Sequence, residues 1–244
     1  MSYSIFLLSL AAFASAASMR VTDALLPRLA ADFDVGIARA SYVVTGFAVA
    51  YGLMQVFFGP LGDRFGKLRV IACSSAIAAA ASVACLLAPG FEGLLVARIV
   101  AGAFCGSIIP LAMAWIGDVV AYQDRQPVLA RFILGQILGL AAGTAIGGVA
   151  AGHVSWRWPF GALAAWLALC AALIAIASRR DPVPRVAKGS HFARDAAGIL
   201  AGHWPRVVVS TVFVEGMLVF GALAFIPTHL HFQRGLALST AGLA

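Results

Sequence analysis

Apolar residues run through this chain in long blocks separated by short polar breaks, rather than alternating with polar ones. Windows of about twenty residues, the length a helix needs to cross hydrocarbon, place blocks at 5–26, 41–58, 70–88, 94–116, 132–152, 159–177 and 207–227, and an eighth begins near Leu238. The blocks are rich in Ala, Leu, Ile and Gly and lack the ten-residue alternation of a barrel strand, so the pattern predicts helical spans. Ala14-Ser15-Ala16 resembles a cleavage site, but nothing basic precedes Ile5 and many spans follow. Residues 1–18 therefore read as part of a retained first helix.

Composition agrees with this reading. With 62% hydrophobic and 11% charged residues and a mean hydropathy of +0.95, the chain is too apolar for a soluble domain of its length. The net charge of +7 would suggest nucleic acid in a soluble protein, but here its distribution matters more than its size. With a cytoplasmic amino terminus, eleven of the seventeen Lys and Arg fall in cytoplasmic connections and four on the opposite face, with Arg20 and Arg98 inside spans. Basic residues in short loops resist translocation, so this bias predicts that orientation. No nucleic-acid partner is expected. Cys73, Cys85, Cys105 and Cys170 all lie in apolar blocks without metal-ligand spacing and read as small packing residues.

One polar break stands out. Gly59-Pro60-Leu61-Gly62-Asp63-Arg64-Phe65-Gly66-Lys67-Leu68-Arg69 packs three bases and an acid between two apolar blocks. Such charge is expelled from hydrocarbon, so the segment is expected to be a water-facing turn. It resembles the signature loop between the second and third helices of the major facilitator superfamily, Gly-x-Leu-Ala-Asp-Arg-x-Gly-Arg followed by a base. Gly62 stands for the alanine, Lys67 for the arginine, and Arg69 comes one place late. The resemblance implies a six-helix transporter bundle and the beginning of a second. It also implies that Gly59, Gly62, Asp63, Arg64, Gly66, Lys67 and Arg69 latch the cytoplasmic ends of two bundles together.

The expected organisation is a six-helix bundle over 1–177, a cytoplasmic linker over 178–206 and the start of a second bundle over 207–244. The linker, with its Asp181-Pro182-Val183-Pro184 opening, reads as a solvated connection carrying a short amphipathic helix near Phe192 to Leu200; a lipid-binding role is the alternative. A weak internal repeat supports duplication, because Leu26-Pro27 through Ser41 echoes Ile226-Pro227 through Ala241. The family's second half normally supplies six helices and only the first of them is complete here, so transport is expected to require the missing C-terminal helices.

Charges inside spans are costly and mark sites. Arg20 and Asp23, three apart on one helix face, are either a self-neutralised pair or a place where Asp23 accepts a proton or meets a cationic substrate. Arg98, followed by Gly102 and Gly106, is similar to the family's fourth-helix motif linked to proton transfer. Arginine stays charged, so its task would be to bias a carboxylate such as Asp23; satisfying helix-end carbonyls is the other reading. Glu215 is placed opposite helix one by the repeat. Tyr51, Gln55 and Gln136 either line a cavity or bond to neighbours.

Gly135, Gly139, Gly143 and Gly147 recur every fourth residue and offer a face on which another helix can approach backbone to backbone. Gly139 to Gly148 is similar to the family's antiporter motif Gly-x-x-x-Gly-Pro-x-x-Gly-Gly, with Thr144 where the proline belongs. Trp156-Arg157-Trp158-Pro159-Phe160 matches a further family signature and reads as an interfacial anchor with indoles at headgroup depth. His229 and His231 fall on an expected outer loop.

The expectation is therefore a secondary transporter, not an enzyme, embedded in a lipid bilayer and carrying out proton-coupled efflux of a small, partly apolar compound. The alternatives are proton-coupled uptake of a sugar or organic acid, or a truncated membrane protein that does not transport. The expected partners are the small-molecule substrate and protons; no cofactor or metal is expected, and the alanine-rich composition points to a bacterial inner membrane.

Overall fold

A computed structural model describes residues 2–153, 155–179 and 201–235. Within hydrocarbon every backbone N–H and C=O must be satisfied inside the protein, which favours helices. The described residues form α1 (Ser2–Arg20), α2 (Leu26–Asp32), α3 (Ile37–Ala40), α4 (Tyr42–Phe65), α5 (Lys67–Leu86), α6 (Phe91–Val119), α7 (Tyr122–His153), α8 (Trp158–Ser178) and α9 (His203–Arg234). Seven helical segments among them are long and apolar enough to span a bilayer, one for each predicted block.

The helices outrun the blocks. α4 has 24 residues, or about 36 Å at the standard rise, against a hydrocarbon thickness of about 30 Å. Its last turns therefore stand in water and carry Asp63 and Arg64. The expected multi-residue turn is accordingly corrected: residues 59–65 are helical, and Gly66 alone separates α4 from α5, with φ 94° and ψ 126°. A helix leaving the membrane keeps its backbone bonds, so polarity alone does not end it.

α2 and α3 carry the chain on from the first span to α4. α2 stops where Asp34 turns left-handed at φ 51°. The N–H of Val35 donates to the Ala30 carbonyl (3.0 Å) and that of Asp34 to Ala31 (3.4 Å), which satisfies the last carbonyls of the helix. Pro159 lies in the first turn of α8, where its missing N–H costs nothing.

α1 packs along α7, α4 along α6, and α5 along both α6 and α8. The buried side chains form two main clusters, one around Leu8, Ile71, Ile108 and Phe132, the other around Leu25, Val43, Leu94 and Trp156. α9 stands beside this bundle with most side chains exposed and Pro227 and Thr228 buried. Pro27 begins α2 near its N-terminus, whereas Pro227 lies inside α9, so the two halves of the sequence repeat differ in local structure. α9 also carries positions 229 and 231, correcting the expected outer loop there. Most of the expected linker and the beginning of an eighth span lie outside the described residues.

Candidate functional site

The first span is interrupted at residues 21–25, where the chain tightens into a turn between α1 and α2. There the N–H of Asp23 donates to Arg20 (3.2 Å) and that of Leu25 to Thr22 (3.1 Å). Ending a helix inside the bundle strands carbonyls, and Arg98 of α6 reaches one of them. Its Nη1 donates to the Ser18 carbonyl (2.9 Å) and more weakly to Ser18 Oγ (3.4 Å), and its Nη2 donates to Thr22 Oγ1 (3.2 Å). The guanidinium lies 4.1 Å from the Phe47 ring centroid and 5.9 Å from that of Phe160.

Arg98 is fully buried, and isolating such an ion from water costs several kcal/mol. Its charge-assisted hydrogen bonds are worth about 1.5–3 kcal/mol each, the ring beneath it about 2 kcal/mol, and the negative end of α1 adds to both. These are of the size needed to hold the cation there. The stack depends on Gly102: a Cβ there would fall on the Phe47 carbonyl oxygen, forcing α4 away and lifting the Phe47 ring off the guanidinium.

Asp23 is also buried. Its Oδ2 sits 2.7 Å from Arg20 Nη1, yet both carboxylate oxygens lack a hydrogen-bond partner. The pair is thus in ionic contact with poor angles, and its acceptor capacity is unfilled. Arg98 grips the end of α1 at Ser18 and the following turn at Thr22, one residue before Asp23, without an ion pair to Asp23, so the carboxylate feels Arg98 through space only. Arg20 and Asp23 border a cavity of about 340 Å³ between α1, α4 and α9, with apolar walls that include Met19, Val44, Phe47, Met217 and Phe225.

A second group of charges closes the far end of the bundle. Lys67 Nζ lies 3.0 Å from Asp63 Oδ1 and 2.7 Å from Asp118 Oδ2 at the end of α6. Arg125 Nη2 donates to the Gly117 carbonyl (2.6 Å), capping the same helix end. The motif glycines divide their tasks. Gly66 supplies the positive φ; Gly62 admits Leu111, whose Cδ2 would lie 2.6 Å from an added Cβ; and Gly59 meets nothing. Arg64 lies 5.2 Å over the Phe65 ring, and Arg69 is exposed.

The glycine series on α7 finds its partner in α1. An added Cβ at Gly135, Gly139, Gly143 and Gly147 would strike the carbonyl oxygens of Ser9, Phe13, Ala17 and Val21 in turn. Both helices thus advance four residues per contact, and the seam runs up to the break beside Asp23. Gly148 is buried next to it. Thr144 Oγ1 donates back to the Leu140 carbonyl (3.2 Å), so α7 continues through the position of the motif proline.

Other expected site residues fall elsewhere. Glu215 is exposed on α9 and turned from the cavity that its neighbour Gly216 borders, so it does not join Arg20, Asp23 and Arg98. Tyr51 stacks on Phe47 at 6.0 Å, with its hydroxyl beside Ser15 and Gln55. Gln55 is exposed and Gln136 half-buried, and neither borders the cavity. The expected headgroup anchor is corrected at Trp156, which is buried between Phe33 (5.4 Å) and Phe160 (6.2 Å). Arg157 covers its ring at 4.2 Å and donates to the Ala88 carbonyl (3.0 Å), tying the residue before α8 to the turn that follows α5.

Sequence reasoning passed over Ser18, Thr22, Phe47, Asp118 and Arg125. Asp118 left one signal, a lone acid closing an apolar block. Ser18 and Thr22 share a helix face at four-residue spacing, but small hydroxyl residues are common in spans and carry little information alone.

The profile of the Major Facilitator Superfamily matches residues 8–244. The chain is 27% identical over 153 residues to the "Multidrug export protein EmrB" of Haemophilus influenzae, covering 63% of this chain and 30% of that protein. It is 26% identical over 166 residues to the "Fatty acid resistance protein FarB" of Neisseria gonorrhoeae, covering 66% and 33%. The match therefore spans about a third of each relative's length. A bacterial homologue of the human lysosomal transporter Spinster, inward-facing and unoccupied, superposes with a TM-score of 0.79 at 20% identity, over 99% of this chain and 58% of that one. At that identity the likeness concerns the fold.

Proposed function

Because this chain belongs to the major facilitator superfamily, we propose that it forms the first bundle and the opening helix of a proton-coupled exporter of small, partly apolar compounds. The observation that carries this reading is the buried Asp23 and Arg20 at the border of an apolar cavity between α1, α4 and α9. A carboxylate with unfilled acceptors beside a solute-sized space can take either a proton or a solute's donor group, and that competition couples two opposed fluxes. Efflux is supported by the names of the relatives and by the glycine seam on α7. Thr144 in place of the motif proline favours the second reading, proton-coupled uptake of a sugar or organic acid.

In this proposal Arg98 is a positioning residue that fixes the break in the first span, and so the place of Asp23. The Asp63, Lys67 and Asp118 cluster latches the bundle ends and loosens when the cavity opens on that side. Alternating access needs a second bundle, so the helices beyond those described here belong to the proposal.

The test is solute flux in vesicles carrying the full chain under an imposed pH gradient. The parent should drive counter-flow of solute and proton, and Asp23→Asn should give flux indifferent to pH. An Asp23→Asn protein with the parent's pH dependence would remove Asp23 from the coupling.

We place the amino terminus and the Asp63 end of the bundle in the cytoplasm of a bacterial inner membrane, on the distribution of Lys and Arg. A cysteine at position 63, in a chain with Cys73 replaced by Ala, should resist an impermeant maleimide in intact cells and react in inverted vesicles. The opposite pattern overturns the orientation.

A further inference from the structure

The walls and charges of the cavity narrow what it can hold, on the premise that this cavity is the solute site proposed above. We propose that it accepts electroneutral amphiphiles carrying a hydrogen-bond donor beside an acceptor, such as an amide or a hydroxy-ketone, and rejects permanent cations.

The polar part of the argument is geometric. Both oxygens of Asp23 are buried without a hydrogen bond, and a carboxylate in that state is satisfied only by donors. Arg20 touches it through Nη1 alone, while its guanidinium carries five N–H groups in a fixed fork and no acceptor. The two side chains therefore place unfilled carboxylate acceptors beside a guanidinium, which can only donate, at one edge of the cavity. A ligand head with a donor next to an acceptor completes both at once. An ammonium could satisfy only Asp23, and a carboxylate only Arg20.

Charge decides between the remaining choices. Arg20 and Asp23 cancel, and Arg98 is left over, opposed by the carbonyl end of α1, which amounts to about half a charge. Ser41, just before α4, and Thr45 of α4 reach the border, and α9 contributes Gly216, Met217, Gly221 and Phe225, none of them charged. The site therefore holds a surplus of positive charge in an apolar setting, where a further cation is repelled more strongly than in water. The remaining walls, among them Val44, Phe47, Ala48 and Phe225, suit an apolar body, and about 340 Å³ is at the small end of ligand sites. A neutral donor resting on ionised Asp23 is also displaced by a proton at the same oxygens, which gives the sign that exchange requires.

The experiment is a thermal shift of the purified full chain in lipid nanodiscs with two probes. One is chloramphenicol, neutral and bearing amide and hydroxyl donors; the other is tetraphenylphosphonium, a permanent cation without donors. The parent should bind chloramphenicol tighter than the cation by on the order of tenfold. Arg20→Gln leaves Asp23 against Arg98 without surplus, and should gain affinity for tetraphenylphosphonium by a similar factor while losing affinity for chloramphenicol. That gain cannot arise from misfolding. A parent that binds the cation as well as the neutral probe, a parent that binds neither, or an Arg20→Gln protein without the gain overturns the inference. Proton-driven flux of some other solute would then leave the transport reading standing. Chloramphenicol binding without proton-linked flux of any solute would overturn the transport reading instead.

Discussion

Gly143→Ala tests whether the seam between α1 and α7 holds the bundle together. The added Cβ would sit 2.5 Å from the Ala17 carbonyl oxygen and 2.8 Å from its Cα. Ordinary contact begins near 3.4 Å, so the helices must part by roughly 1 Å along a seam of four glycine contacts. A gap of that size forfeits a quarter to a half of each dispersion contact, and each atom pair is worth about 0.1–0.2 kcal/mol. With on the order of ten pairs at each of four crossings, the loss is about 2 kcal/mol, within the range for overpacked interiors. No hydrophobic gain offsets it, since lipid is as apolar as the helix it replaces. The assay is reversible unfolding of the purified chain in micelles by titration with sodium dodecyl sulfate. Gly59→Ala is the control: it sits in α4 with nothing near its Cβ, so it should be neutral or stabilise by up to about 1 kcal/mol through helix propensity. Equal stability of the two variants would refute the argument that backbone approach, rather than composition, makes these glycines necessary.

Two more outcomes follow from the Asp63 end of the bundle. Gly66→Ala should destabilise by about 1–3 kcal/mol in the same titration, because φ 94° strains any residue with a Cβ; no change would mean that the junction re-forms another way. Lys67→Glu should weaken the link to Asp118 and Asp63, and adding Asp118→Lys should recover part of it. The coupling is expected at about 0.5–1 kcal/mol and should shrink with salt, since both acids are exposed. A double-mutant cycle with no coupling would reduce the cluster to incidental surface charge.

The number of spans and the glycine face of α7 were legible in the sequence because each depends on local periodicity. Twenty apolar residues measure hydrocarbon thickness, and small residues at every fourth position mark one side of a helix whatever lies opposite. The Arg20 and Asp23 pair was legible because three residues is close along the chain in a turn as well as in a helix, although Asp23 lies in the turn after α1 and not on the expected helix face. The span ends were not, because a helix continues into water at no loss of backbone bonds, and α4 runs on to Phe65 where polarity suggested a turn. Nor were the partners legible. That Arg98 holds Ser18 and Thr22, that Lys67 joins Asp118, and that α1 receives the glycines of α7 are contacts across some 50 to 130 residues of chain. Only packing decides such contacts, since the bundle brings together whichever helices can approach closely enough to satisfy the buried charges and carbonyls between them.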